Sequence, residues 1–233
     1  IGDLAKTLGV DLIALNENVG YAKAQNLGIK RSIDNGADVL AFFDQDSDIE
    51  KDFLKKLLSP IVKGQAMVVS PVFYDADQGF RFPSYKLNKF GLLTQFEVSD
   101  SQSTYEVDVI ISSGSAATKA TFDKVGLMNE DYFIDFIDTE WSLKCKENGV
   151  PVKVVSNAIM KHSIGMKSVD LKFIKVFVHG QVRTYYKVRN AFLFFKSKSV
   201  PFLTGLKELV SALLHNFLII FIVENKWGYC KTY

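Results

Sequence analysis

Val39-Leu40-Ala41-Phe42-Phe43-Asp44-Gln45-Asp46-Ser47 is the stretch that decides the fold of this 233-residue sequence. Five consecutive apolar residues predict a strand that is buried on both faces, as in a parallel sheet covered by helices. Helical patterns at 22–35, 51–63, 119–125 and 139–148 alternate with apolar runs at 10–15, 66–72, 107–111 and 152–156, and residues 73–106 suggest a hairpin excursion. This alternation predicts an α/β fold with a mostly parallel sheet. Ligands of open α/β sheets bind beyond the carboxyl ends of the strands, so Asp44 and Asp46 should lie at the functional edge.

Length and composition limit the class of protein. Hydrophobic residues make up 48% of the chain and charged residues 23%, which excludes a disordered, collagen-like or coiled-coil protein. Two cysteines, Cys145 and Cys230, are too few for a disulfide scaffold or a four-cysteine zinc site. They favour a reducing compartment, and no signal peptide is visible after Ile1. We therefore expect a cytoplasmic protein.

Charge is distributed unevenly along the chain. Residues 1–160 carry 16 Lys and Arg against 23 Asp and Glu, whereas residues 161–200 carry 9 against 1. This pattern predicts an acidic body, residues 1–165, followed by a basic, aromatic and helical region, residues 166–233. The basic region should meet anionic partners. Nucleic acid is not among them, because the body is acidic and no nucleic-acid-binding module is present.

The apolar run at 209–223 is the longest in the sequence. It has 15 residues, fewer than the about 20 that a membrane-spanning helix needs, so we do not expect it to cross a membrane. One interpretation is a helix that packs on the body or mediates self-association. The other is a helix that lies on an anionic membrane surface through residues 166–223, with the preceding lysines facing the lipid.

Asp44 and Asp46 are open to four interpretations. An EF-hand would need Gly and Glu where this chain has Ile49 and Lys55. A haloacid-dehalogenase-type phosphatase would use Asp44 as a nucleophile, but its downstream Gly-Asp-x-x-x-Asp pattern is missing. A nucleotide-sugar site would use the pair around a divalent cation, which binds carboxylate oxygens and leaves positions for phosphate. The plainest interpretation is helix capping by the acidic segment.

Three further segments carry candidate functional residues. Asn18, Gly20 and Asn26 flank a strand-to-helix turn, where free N–H groups attract anions, although a plain turn would show the same residues. Asp138 stands among aromatic residues just before a helix, which suits either a general base or a helix cap. His162 follows the last strand of the body, as either a metal ligand or a structural residue.

Five motifs in order give the sequence a family resemblance. They are Asn-x-Gly-Tyr-Ala-x-Ala-x-Asn-x-Gly at 18–28, Asp-Gln-Asp-Ser at 44–47, Ser-Gly-Ser at 113–115 with Gly-Leu-Met-Asn-Glu at 126–130, Phe-Ile-Asp-x-x-Asp-Thr-Glu-Trp at 133–141, and Lys-His-Ser-Ile-Gly at 161–165. Together they resemble a family 2 glycosyltransferase of the GT-A fold. The Asp-Gln-Asp-Ser variant and Tyr-Tyr-Lys-Val-Arg-Asn at 185–190 are similar to its rhamnosyltransferase branch.

The resemblance implies a role for each matching position. Asp138 would be the catalytic base, and Asp46 with His162 would bind a divalent metal, Mg²⁺ or Mn²⁺. The donor nucleotide-sugar would be bound by the residues Asn18, Gly20, Asn26, Asp44, Gln45, Ser113, Gly114 and Arg189. Of these, Ser113 and Gly114 would line the sugar pocket, and Arg189 would approach the diphosphate.

The resemblance also implies a fold and a reaction. The family pattern begins with two strands that this sequence lacks, so we expect an N-terminally truncated GT-A three-layer sandwich with additional C-terminal helices. The reaction would be metal-dependent, inverting transfer of a sugar, rhamnose by the branch, to a hydroxyl of a saccharide or lipid-linked acceptor in surface polysaccharide synthesis. This would place the protein at the inner face of the plasma membrane, with oligomerisation through the C-terminal helices as an option. The alternatives are a non-catalytic membrane-associated scaffold and the phosphatase.

Overall fold

The computed structural model describes residues 2–45, 47–75, 79–161, 168–171, 174–177 and 180–222. The helices are α1 Gly2–Leu8, α2 Tyr21–Asp34, α3 Phe53–Leu57, α4 Lys119–Val125, α5 Ile137–Glu147, α6 Gln181–Lys196 and α7 Phe202–Ile222, with a 3₁₀ turn at Glu130–Tyr132. The strands are β1 Val39–Ala41, β2 Val68–Asp75, β3 Phe80–Arg81, β4 Ser84–Leu87, β5 Leu93–Phe96, β6 Thr104–Glu106, β7 Ala116–Thr118, β8 Val152–Lys161, β9 Ser168–Leu171 and β10 Ile174–Phe177.

The main sheet is mixed rather than mostly parallel. In the described part of the chain it has six strands: five in the order β1-β7-β2-β8-β6, and β3, which pairs with β2. Among the described strands of this sheet, β2 and β8 form the parallel pair, while β7 runs antiparallel to both β1 and β2, and β6 antiparallel to β8. The prediction of a mostly parallel sheet is wrong because an apolar run marks a buried strand but carries no information about its direction.

Helices cover both faces of the main sheet, as the predicted three-layer arrangement requires. One face packs against α2, α4, α5 and α6 through a core that includes Ile29, Phe122, Trp141 and Phe194. Phe122 and Trp141 stack at a centroid distance of 5.4 Å. The other face packs against α3 in a smaller core. This burial of apolar surface on two sides stabilises the sheet edge that carries the candidate site.

Some of the helices and strands predicted from the sequence are confirmed, and others are wrong for local reasons. The predicted helices at 22–35, 119–125 and 139–148 and the hairpin excursion at 73–106 are confirmed. The predicted strand at 10–15 is wrong: its apolar side chains are exposed, because no described strand pairs with it. The prediction of a strand at 107–111 is also wrong, because the strand in this part of the chain is β6, which ends at Glu106. Helix α3 ends at Leu57 rather than at 63, because Pro60 disfavours helical backbone in the residue before it.

The C-terminal helices α6 and α7 pack on one another, and α6 packs on the body. Among the described residues, α7 is the helix long and apolar enough to cross a membrane: its window Phe202–Ile219 has a mean hydropathy of 1.3 and is 22% buried. It is longer than the predicted apolar run because it begins at Phe202 rather than at residue 209. Its outer face is exposed and apolar, and consists of Phe202, Leu203, Leu206, Val210, Leu213, Leu214, Phe217 and Leu218.

Candidate active site

The acidic segment after β1 is held in place by the loop before β7. The N–H of Gly114 donates to the Phe42 carbonyl at 2.7 Å, which carries the strand pairing beyond Ala41. The Asp44 N–H then donates to Ser113 Oγ at 3.3 Å, and the hydroxyls of Ser47 and Ser113 lie 3.3 Å apart. Ser113 is therefore a buried support for the Asp-Gln-Asp-Ser segment, while Asp44 and Gln45 are exposed to solvent.

The two predicted metal ligands, Asp46 and His162, lie outside the residues that the structure describes. Their described neighbours nevertheless meet, because Asp48 forms an antiparallel β-bridge with Lys161 at the end of β8. The chain just after Asp46 is therefore adjacent to the chain just before His162. The family resemblance implied that these two segments meet, although they are more than a hundred positions apart in the sequence.

Asp138 lies in the first turn of α5 and accepts two hydrogen bonds from one residue. Ser112 donates its N–H to Oδ2 at 3.1 Å and its hydroxyl to Oδ1 at 2.6 Å. Burial raises the pKa of Asp138 above its ordinary value, the two Ser112 hydrogen bonds oppose this rise, and the charges of Asp44 and Asp135 add to it. Asp138 is thus an oriented carboxylate with raised basicity, and Ser112 is a supporting residue that the sequence analysis missed.

Tyr21, the first residue of α2, connects the two acidic segments. Its hydroxyl donates to Asp44 Oδ1 at 3.3 Å and accepts from Gln25 Nε2 at 3.1 Å. Burial raises the pKa of Tyr21 most, and the negative charges of Asp138 and Asp44 raise it further. Tyr21 belongs to the Asn-x-Gly-Tyr motif at 18–21, which by itself indicates no role for the phenol. Its position directly after Gly20, where α2 begins, was the available signal.

The three residues predicted to line the nucleotide have different surroundings. Asn18 is exposed, and its Oδ1 accepts from the N–H of Gly20 in a tight turn at 3.0 Å. Gly20 has φ of +84° and packs so closely on Phe133 that a Cβ would lie 2.5 Å from the ring. Asn26 is buried and exchanges hydrogen bonds with the Met128 backbone at 2.9 and 3.1 Å. The geometry therefore gives Asn26 a structural role, and its predicted contact with the nucleotide stays a prediction.

Arg189 is placed against the loop that precedes α5. Its guanidinium lies 5.0 Å from the centroid of the Tyr186 ring, and it donates to the backbone carbonyl of Asp131 and to Asn190 Oδ1. The predicted approach of Arg189 to a diphosphate stays a prediction.

A cavity of about 290 Å³ opens beside Asp138. Its wall is mainly apolar and includes Phe73, Phe82 and Pro83, with hydroxyls from Ser84 and Tyr85. Asp138 is the charged residue among its described lining residues, so the cavity offers a carboxylate and no cation. These features suit a neutral molecule that has an apolar face and a hydroxyl group better than an anion.

The described part of the site is electrostatically negative. The charge of Asp44 lies close enough to Asp138 to raise its pKa, and in the described residues the hydrogen-bond partners of both carboxylates are hydroxyl and backbone groups rather than Lys or Arg. Carboxylate oxygens in such a field are the ligands that hard divalent cations prefer. This edge therefore offers carboxylate oxygens of the kind that a hard divalent cation binds, although the described residues contain no group of three or more His, Cys, Asp or Glu that could hold a metal ion.

Comparison with solved structures identifies the fold class of the protein, and comparison of sequences then identifies its family. The structure is similar to GalNAc-T7 with UDP, GalNAc and Mn²⁺ (TM-score 0.56, 14% identity, 92% of this chain and 44% of that chain). It is also similar to S. aureus TarS 1-349 in complex with UDP-GlcNAc (TM-score 0.52, 12% identity, 99% of this chain and 66% of that chain). This chain therefore spans less than two thirds of either solved chain. The likeness shows a GT-A-like α/β fold.

Sequence similarity is more specific than the fold. The pattern of the family described as Glycosyl transferase family 2 matches residues 2–126. The chain is also 42% identical over 230 residues to the dTDP-rhamnosyl transferase RfbF of Shigella flexneri, covering 99% of this chain and 78% of that protein. The chain belongs to glycosyl transferase family 2, a family of glycosyltransferase enzymes. This membership removes the phosphatase alternative that the Asp-x-Asp pattern had left open.

Proposed function

We propose that the protein transfers rhamnose from dTDP-rhamnose to a hydroxyl group of a saccharide or lipid-linked acceptor, with inversion at the anomeric carbon. The observation that carries the donor assignment is the 42% identity to a dTDP-rhamnosyl transferase across 99% of the chain. The wider process would be surface polysaccharide synthesis at the cytoplasmic face of the membrane. Inversion follows from a single in-line displacement, in which the acceptor hydroxyl attacks the anomeric carbon directly.

In this proposal Asp138 is the general base. Its carboxylate is oriented by Ser112, and its raised pKa increases its affinity for the proton of an incoming hydroxyl. The cavity beside Asp138 would take the acceptor, because a neutral sugar can stack its apolar face on Phe82 and Pro83 while a hydroxyl approaches the carboxylate. The donor diphosphate would lie on the Asp44 side, where the divalent ion would offset the repulsion between the carboxylates and the phosphates.

The donor would bind along the edge formed by Asp44, Gln45, Ser113 and Gly114, with Asn18 and Gly20 at the start of α2. The N-terminus of that helix provides a positive dipole end next to a tight turn. Asp46 and His162 would hold the divalent ion, Mg²⁺ or Mn²⁺, and such an ion supplies charge neutralisation to the leaving diphosphate. The β-bridge between Asp48 and Lys161 supports this pairing of ligands.

Calorimetric titration with dTDP tests the donor site and its metal. We expect binding in the presence of Mn²⁺ and a loss of at least about tenfold in affinity when the metal is chelated, because the local carboxylates repel the diphosphate. Asp46→Ala should lose the metal-dependent part of the affinity, whereas Asp48→Ala, a carboxylate two positions along, should keep it.

Two results would count against this proposal separately. Equal dTDP affinity with and without chelator would remove the metal site. Turnover of UDP-GlcNAc but not of dTDP-rhamnose by the wild-type protein would remove the donor assignment and leave the family intact.

We also propose that the region 166–223 contacts the cytoplasmic membrane surface through the outer face of α7. That face is apolar from Phe202 to Leu218, and among these described residues the exposed Lys207 provides its charge. The tip of the β4–β5 hairpin lies beside it, since Thr204 donates to the Gly91 carbonyl, and this tip exposes Lys89 and Phe90. Exposed aromatic and aliphatic side chains flanked by lysines are typical of surfaces that bind anionic lipid.

Vesicle co-sedimentation tests this membrane proposal. The wild-type protein should bind vesicles that contain phosphatidylglycerol, and Leu213→Glu should lower the bound fraction by about tenfold, because a charge is placed in the lipid-facing surface. Leu54→Glu on α3 is a matched control, since Leu54 is 41% exposed and Leu213 is 43% exposed. A wild-type dimer in solution that Leu213→Glu dissociates, with no binding to vesicles, would instead assign the face to self-association.

A further inference from the structure

The loop between the 3₁₀ turn and α5 has an unusual backbone conformation. Phe133, Asp135 and Phe136 all have positive φ, at 56°, 63° and 65°, and none of them is glycine. Left-handed backbone in such residues costs free energy and persists only where the surroundings hold it in place. Phe136 is the N-cap residue of α5, so this loop sets how the helix begins and where Asp138 in its first turn is directed.

The Asn190 side chain of α6 holds this loop through its backbone. Asn190 is fully buried, and its Nδ2 donates to the carbonyls of Tyr132 and Ile134, both at 2.5 Å. Its Oδ1 accepts from Arg189 Nε at 3.1 Å, which fixes the orientation of the amide. An amide is needed here because the groups it meets in the loop are hydrogen-bond acceptors.

Three other contacts hold the same loop. Arg183 of α6 donates to Asp135 Oδ1 at 2.8 Å, with a second bond from Nε. The ring of Tyr186 stacks on Phe133 at 4.6 Å with an interplanar angle of 11°. On the opposite side, the N–H of Tyr21 donates to the Phe133 carbonyl at 2.6 Å. The strained loop is therefore fixed between the start of α2 and one face of α6.

We propose that Asn190 and Arg183 are positioning residues for the base, which hold the left-handed loop so that Asp138 is correctly directed. This inference rests on the proposed role of Asp138. It concerns residues that touch neither donor nor acceptor, and it gives α6, in the basic C-terminal region, a part in the reaction. A displacement of about 1 Å in a catalytic group can lower the rate about 100-fold. Weakening these contacts, without breaking them all, should therefore be enough to lower the rate.

The substitution Asn190→Asp tests the proposal, because it keeps the size of the side chain and removes both N–H donors. We expect kcat for dTDP-rhamnose turnover, followed as dTDP release, to fall about 100-fold. The KM for the donor should change less than about threefold, since the donor side is not altered. Asn148→Asp is the matched control, because Asn148 donates to the Lys144 carbonyl at the far end of α5, and it should leave kcat unchanged.

A second pair of variants keeps the test decisive if Asn190→Asp does not fold. Arg183 lies at the surface, so Arg183→Met should fold, and we expect it to lower kcat about tenfold with donor KM preserved. Arg183→Lys should recover part of the loss. Asp135→Asn should add little to Arg183→Met, because the two residues form one contact.

The outcomes separate this inference from the proposed function. An unchanged kcat in folded Asn190→Asp or Arg183→Met, or a fall that matches only the lost fraction of dTDP-binding protein, would overturn the positioning role. Full activity in Asp138→Asn would instead remove the base assignment on which the inference depends.

Discussion

Asp138→Asn should lower the turnover of dTDP-rhamnose by roughly 100- to 10,000-fold, the range that a general base contributes. An asparagine keeps the size of the side chain and can still accept from Ser112 through its oxygen, so the fold and the loop before α5 should be retained. It cannot take the proton of the acceptor hydroxyl. Affinity for dTDP, measured by calorimetry, should be preserved or slightly increased because one negative charge near the donor is removed.

Asp123→Asn on α4 is the control for this experiment, since Asp123 forms an exposed ion pair with Lys119 away from the site. It should keep wild-type turnover. If Asp138→Asn also keeps wild-type turnover, Asp138 is not the general base.

The pH dependence of turnover provides a second measure of the same residue. A base acts only when deprotonated, so the rate should rise with pH through the pKa of Asp138 and level off above it. Because burial raises that pKa, the rise should lie above the pH range of an ordinary aspartate, about 4. In Asp138→Asn, the residual rate should lack this rise.

Gly114→Ala should lower the stability of the fold strongly. Gly114 has φ of +73°, and a Cβ would overlap Met160 Sδ and lie 3.0 Å from Pro71 Cγ. Left-handed backbone costs about 1–2 kcal/mol for a residue with a Cβ, and overpacking of a core costs about 1–3 kcal/mol. The free energy of unfolding in urea should therefore fall by roughly 2–5 kcal/mol.

Gly28→Ala is the counterpart of this substitution. Gly28 lies within α2, and a Cβ added there would meet nothing within 4 Å. Alanine there should be neutral or stabilising by up to about 1 kcal/mol, because it favours helix. Equal stability of the two variants would show that the close contacts at Gly114 relax at little cost.

The order of the motifs and the acidic edge of the sheet could be predicted from the sequence. The directions of the strands relative to one another could not. The apolar run of β1 correctly marked a strand that delivers Asp44 to the edge of the sheet. Strand direction is fixed by non-local pairing, so the antiparallel placement of β7 between β1 and β2 was not visible in local patterns. The prediction of a strand at 10–15 was wrong for the same reason, because an apolar composition does not show whether another strand is available to pair with it.

The sequence suggests site residues whose proposed role lies in the chemistry of their own side chains, and does not indicate residues that act by holding the backbone. Asp138 could be named from its acidic side chain among aromatic residues. The roles of Ser112 and Asn190 depend on hydrogen bonds that join distant positions, such as Asn190 to Tyr132, 58 residues away. Asn26 is the reverse case: the sequence suggested a ligand contact, and the structure shows its amide hydrogen-bonded to the Met128 backbone.

The contacts between α6 and the left-handed loop set a lower limit on the length of chain that we expect to be active. A chain that stopped at Gly165 would retain the described strands of the main sheet together with Asp138 and both proposed metal ligands. It would nevertheless release three left-handed residues from the side chains that fix them, and the loop would relax toward ordinary backbone. The smallest active piece should therefore extend at least to the end of α6 at Lys196, well past the change in composition near residue 165.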